Sequence, residues 1–160
     1  IWDMSPATWR RTLAINLDAP FHLARLAAAD MRAAGWGRIV MTSSTSGEVG
    51  SPRTSAYAAS KHGLLGLMRC VAWDVGGFGA TCNAVLPGWV RTAMADRSGD
   101  AEAARRGLSR AEVWAERDAL YPRGRSLEPA EIAATIAFLC SEAASGVNGE
   151  AITVAAGALW

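Results

Sequence analysis

The sequence predicts an α/β fold in which helices cover a parallel sheet, read as the C-terminal part of a doubly wound domain. Three observations carry that prediction. Stretches with helical apolar spacing alternate with short β-prone runs, in the order α-β-α-β-α-β. The connections between the β-prone runs are long enough for parallel crossovers. Three strands make a thinner sheet than such folds use when both faces are covered, so the first half of the domain is expected to lie outside these residues. No repeat, low-complexity tract or linker divides the chain, and residues 1–160 are read as one partial domain.

Each element has a local reason. Ser5-Pro6 reads as an N-cap followed by proline at the first helical position. Trp9, Leu13, Leu17, Leu23, Leu26, Ala27 and Met31 then recur at helical spacing up to Gly35, with Pro20 expected to kink or split the helix. Ile39 to Ser43 is a short β-prone run entered through Gly37-Arg38, followed by a polar loop to Arg53. From Thr54 to Val75 the pattern is helical, with Leu64, Leu65, Met68, Val71 and Ala72 as its apolar stripe and Gly76-Gly77 as its stop. Ala80 to Leu86 is a second strand ended by Pro87-Gly88. Residues 92–120 read as short helices in a mobile, Arg/Glu-rich insert whose arginines are solvated. Glu128-Pro129 opens a helix through Ile132, Ile136 and Leu139 to Ser141, and Ala151 to Val154 is a last strand.

Composition narrows the function classes. The 160 residues are 51% hydrophobic and 19% charged, with a net charge of +1. That is globular, and it gives no electrostatic reason to expect nucleic acid or an anionic membrane as partner. No apolar run has the length of a membrane span. Cys70, Cys82 and Cys140 are odd in number and lack C-x-x-C spacing, which suits a cytoplasmic protein better than a disulfide scaffold or a zinc site. No metal site is expected; His22 and His62 read as helix-surface or interface residues. Ser43–Ser46 does not form the G-x-S-x-G turn of a hydrolase.

The basic residues are lopsided: Lys61 is the single lysine among sixteen Lys and Arg. Lysine is a compact charge that arginine does not replace. Tyr57 lies four residues earlier on the same helix face, roughly 5–6 Å away at Cβ. A cation one turn from a phenol favours the phenolate, which can then exchange a proton with a substrate oxygen. Ser44, thirteen residues before Tyr57, ends a strand, where parallel sheets form their ligand crevice. Asn16 is a polar residue in an otherwise apolar helical stretch. Pro87-Gly88-Trp89-Val90-Arg91-Thr92 follows the next strand at the same kind of end.

Asn16, Ser44, Tyr57-x-x-x-Lys61 and Pro87-Gly88-x-x-x-Thr92 together resemble the short-chain dehydrogenase/reductase family, from about residue 5 to the C-terminus. The resemblance implies a Rossmann fold and hydride transfer between NAD or NADP and a secondary alcohol or ketone. It implies Tyr57 as general acid/base, assisted by Lys61, which also binds the nicotinamide ribose. Ser44 would orient the substrate oxygen, and Asn16 would hold a water linking Lys61 to solvent. Pro87, Gly88, Val90 and Thr92 would line the nicotinamide, Ser46 and Trp89 the substrate, and residues 92–120 its lid. The apolar helix around Tyr57 would pair between subunits in a homodimer or homotetramer.

The family's Gly-rich phosphate turn is not in this sequence, and neither is the residue that selects NAD or NADP. The resemblance therefore implies about 80–90 further residues of a doubly wound fold. The family's closing Asp-Gly-Gly is Ala155-Ala156-Gly157 here, read as a minor change. A weaker likeness points to 3-hydroxybutyrate dehydrogenases and to 3-oxoacyl-acyl-carrier-protein reductases. The His and Lys with which the hydroxybutyrate enzymes hold a carboxylate are Ser46 and Thr54, leaving Arg53 as a possible substitute and favouring a neutral alcohol or ketone. The alternative is a truncated, non-catalytic chain acting only through subunit association, its unpaired strand edge covered by another subunit.

Overall fold

The computed structural model describes residues 1–158. Its first helical segment is continuous from Pro6 to Ala34 but changes winding on the way. Helix α1 (Pro6–Leu13) starts where the Ser5 hydroxyl accepts the Thr8 N–H at 3.0 Å. One π-helical turn covers Ala14–Asp18, and α2 (Ala19–Ala34) ends at Gly35, whose φ of +66° suits glycine. The irregularity thus lies just before Pro20. Proline has no N–H for the carbonyl of Asn16 four residues earlier, and its ring crowds that turn. Widening the turn, with the Ala19 N–H on the Ala14 carbonyl, accommodates the ring without breaking the helix.

The sheet has the order β1-β2-β3, all parallel: β1 (Gly37–Thr42), β2 (Ala80–Pro87) and β3 (Ala151–Val154). Thr42 stands beside Val85 and Pro87 beside Val154, so all three strands release their chains at one edge. Helix α3 (Ser55–Gly76) crosses from β1 to β2, and α6 (Pro129–Leu139) precedes β3. Alternation along β2 sorts the core. Cys82, Ala84 and Leu86 join Leu64, Met68 and Val75 of α3, while Val85 joins Leu127, Ile132 and Leu139 on the other face. Burying each Leu, Ile, Val or Met among them contributes about 1.5–3 kcal/mol. Two asparagines stitch β2 to the loop before β3: Asn83 donates to the Val147 carbonyl at 2.7 Å, and Asn148 accepts the Cys82 N–H at 2.9 Å.

The insert differs from the expected array of solvated arginines. It forms α4 (Ala93–Arg106), capped by Thr92, and α5 (Arg110–Ala119), opened by a Ser109/Glu112 capping box. Arg106 bridges Glu102 and Glu116, and Arg110 pairs with Asp100 at 2.6 Å. Arg117 is only 4% exposed; it donates to the Ala95 carbonyl at 3.0 Å and to Glu102 at 3.1 Å. From α5 the planar guanidinium fork reaches two partners on α4 at once, which a charge pattern read along the chain does not reveal.

Candidate active site

The loops leaving β1 and β2 and the start of α3 bring the expected residues to one end of the sheet. Ser44 follows β1 and caps a 3-10 turn, Thr45–Gly47; its hydroxyl oxygen accepts the Ser46 N–H at 3.1 Å, which leaves its own proton free to donate. Ser43, one residue earlier, is buried and points the other way, donating to the Lys61 carbonyl at 3.3 Å. Gly47 permits this close approach of loop and helix: a Cβ there would lie 2.7 Å from Ser43 Oγ and 3.1 Å from the Lys61 carbonyl.

Tyr57 is the third residue of α3 and is 37% exposed. Lys61, one turn later, places its Nζ 5.6 Å from the centre of the Tyr57 ring and donates to the Thr42 carbonyl at 2.8 Å. An ammonium has three donors, so two remain after that bond. Burial holds the Lys61 pKa below the ordinary lysine value. Asn16 lies in the π turn and donates to Ser60 Oγ at 3.1 Å, and Ser60 in turn donates to the Tyr57 carbonyl at 2.7 Å. It therefore braces α3 between Tyr57 and Lys61 and does not bond Lys61 directly. Asn16 and Lys61 border one cavity of about 420 Å³ between α2 and β1. Ser60, fully buried, is a member of this network that the sequence reading did not single out.

The second wall is the turn Pro87–Thr92. The Gly88 N–H donates to the Val154 carbonyl at 3.2 Å, and residues 89–91 pair with Leu127 through two backbone bonds of 2.9 Å. Thr92 Oγ1 accepts the Ala95 N–H at 3.2 Å and so starts α4. Trp89, expected to face the cleft, is half-buried against the second core cluster with the Arg117 guanidinium 3.6 Å over its ring. Two further residues escaped the sequence reading. Tyr121 accepts the Trp89 N–H on its phenolic oxygen at 2.6 Å. Asp118 binds Arg91 on one side and, on the other, the Ser126 N–H and hydroxyl at 2.7 and 2.6 Å. Among the described residues no group of three or more His, Cys, Asp or Glu could hold a metal ion.

A family model described as enoyl-(acyl carrier protein) reductase matches residues 1–158. The chain belongs to the short-chain dehydrogenase/reductase family. D-beta-hydroxybutyrate dehydrogenase of Cupriavidus necator is 39% identical over 153 residues, covering 93% of this chain and 58% of its own length. The solved actinorhodin polyketide ketoreductase with NADPH superposes with a TM-score of 0.91 at 32% identity, covering 97% of this chain and 60% of its own. NAD+-bound xylitol dehydrogenase gives 0.91 at 27% identity, with 98% and 62% covered. This short-chain dehydrogenase/reductase chain thus spans about 60% of the length of these relatives, and its three-stranded parallel sheet is the C-terminal part of their Rossmann-like fold.

Proposed function

We propose that the chain carries the catalytic part of an NAD(P)-dependent oxidoreductase that interconverts a secondary alcohol and a ketone, with Tyr57 as general acid/base. The observation that carries this reading is the placement of Tyr57 and Lys61 one helical turn apart, at the strand ends, with two Lys61 donors unused. The residues fit a nicotinamide cofactor. Lys61 uses one of its three N–H donors on the Thr42 carbonyl and has two spare for ribose hydroxyls.

Bound NAD or NADP supplies the hydride acceptor or donor. Lys61 and Tyr57 would hold its ribose, and Pro87, Gly88, Val90 and Thr92 would line its nicotinamide. Ser44, with its proton free, donates to the substrate oxygen and fixes it within reach of Tyr57 Oη. Tyr57 gives its proton to a ketone oxygen, or takes the hydroxyl proton of an alcohol, and Lys61 stabilises the negative charge on Oη. Asn16, beside the cavity it shares with Lys61, holds the water through which that proton reaches solvent. Ser46 flanks the substrate, and α4 and α5 form its lid. Ser46 and Thr54 offer a carboxylate no cation, so the proposed substrate is neutral, although the relative from Cupriavidus necator acts on hydroxybutyrate. Exposed Leu23 and Leu26 on α2 and the 88% exposed Trp73 on α3 support a homodimer or homotetramer. The three free cysteines suit a cytoplasmic setting.

The test is Tyr57→Phe in the full-length chain, assayed by NAD(P)H absorbance against a panel of neutral ketones and of hydroxy acids. General acid/base loss predicts a fall of about 10²–10⁴ in kcat with unchanged thermal unfolding. Turnover retained by the variant, or a wild type that turns over nothing in the panel, would refute the assignment.

A further inference from the structure

The turn Pro87–Thr92 is anchored on every side, and one anchor is of a different kind. The Gly88 N–H meets a strand carbonyl and the Arg91 N–H meets the Leu127 carbonyl, both backbone to backbone. The Trp89 N–H between them is met by a side chain, the phenolic oxygen of Tyr121, at 2.6 Å and from thirty-two residues away. The same oxygen sits against Gly88: a Cβ at that position would lie 2.4 Å from it. The phenol therefore fills the space that a side chain on the turn would take.

Tyr121 is itself rigidly held. It is 3% exposed, its N–H donates to the Asp118 carbonyl at 3.1 Å, and its carbonyl accepts the Gly124 N–H at 2.8 Å. Asp118 in turn holds Arg91 of the turn and Ser126, which lies between α5 and α6. A buried phenol on a doubly tied backbone, touching two consecutive residues of the turn, sets where their backbone lies.

Resting on the functional reading above, we propose that Tyr121 is a positioning residue for the nicotinamide. It backs the Gly88-Trp89 peptide so that the turn presents a fixed, side-chain-free face to the ring. Without the hydroxyl, the Trp89 N–H loses its partner and the peptide is free to rotate. On this proposal the nicotinamide end of the cofactor is then affected, while its adenosine diphosphate end is not.

Tyr121→Phe in the full-length chain tests this by equilibrium binding, read by calorimetry with NAD(P)H and with ADP-ribose (or its 2′-phosphate), which lacks the nicotinamide. The expected result is about tenfold weaker NAD(P)H binding, the scale of one lost hydrogen bond, with ADP-ribose affinity unchanged. Unchanged ADP-ribose binding also shows that the variant is folded. Equal losses for both ligands would make Tyr121 a packing residue and overturn the proposal, as would no loss for either. A wild type that binds neither ligand overturns this proposal and the cofactor reading together. A wild type that binds both but turns over no substrate defeats the catalytic reading alone, and leaves this comparison decisive.

Discussion

Replacing Arg117 by Ala should destabilise the chain by about 3.5 kcal/mol, far more than an ordinary arginine in an Arg/Glu-rich segment. The magnitude follows from its surroundings. The guanidinium lies 3.6 Å over Trp89 and 5.1 Å from Trp114, and a desolvated cation–π contact is worth about 2 kcal/mol. Its bond to the Ala95 carbonyl is charge-assisted, worth about 1.5 kcal/mol. Burial of the alkyl stem contributes about 1 kcal/mol more. Glu102 adds little, because it is partly exposed and keeps Arg106 at 2.9 Å when Arg117 is gone. Against these, Arg117 Nε is buried without a partner, a cost of about 1 kcal/mol that the substitution relieves. Arg117→Met restores the stem and should lose only about 2.5 kcal/mol. Urea unfolding followed by tryptophan fluorescence measures both, at constant m. A loss under 1 kcal/mol for Arg117→Ala would refute the argument, and so would a methionine variant no better than the alanine one.

Two further perturbations have defined signs. Ala156 has a φ of +46°, where a Cβ is strained, in the position at which the family carries its first closing glycine; Ala156→Gly should stabilise by about 0.5–1 kcal/mol in the same urea assay. Lys61 has a folded pKa lowered by burial from the ordinary 10.5, so between those two values the unfolded chain binds the proton more tightly. Wild type should therefore gain stability relative to Lys61→Met as pH rises through the folded value, and stop gaining near 10.5; paired unfolding curves from pH 7 upward that diverge the other way would contradict the desolvation argument.

The fold was legible wherever a signal is local. The helix expected from Thr54 to Val75 spans Ser55–Gly76, and the strand expected from Ala80 to Leu86 spans Ala80–Pro87, because apolar stripes and Gly or Pro stops act within a few residues. Pro20 was legible as a disturbance but not in its form. A proline tells that one carbonyl loses its donor; whether the helix bends, breaks or widens depends on what packs there, and here the widened turn carries Asn16 to Ser60. The closing Ala155-Ala156-Gly157 looked minor as a composition change. It gains weight only through the backbone, where Ala156 adopts the left-handed conformation that glycine would take without strain.

The candidate site divides along the same line. Ser44, Tyr57 and Lys61 belong to one strand–loop–helix unit, so their spacing alone brings them to one end of the sheet, and a single lysine among fifteen arginines singles out Lys61. The clamp around the turn Pro87–Thr92 has no such spacing. Trp89 meets Tyr121 across thirty-two residues, and Arg91 meets Asp118 across twenty-seven. Each of those residues has an ordinary role in a helix end or a turn, and fifteen arginines offer no sign of which one is buried. What selects Arg117 is the packing of α5 against Trp89, and what selects Tyr121 is the empty side of Gly88. The glycine was legible as a position of the family motif. Its other face is governed by a tyrosine that only the folded chain brings there, so the turn is shaped from behind by residues the motif does not contain.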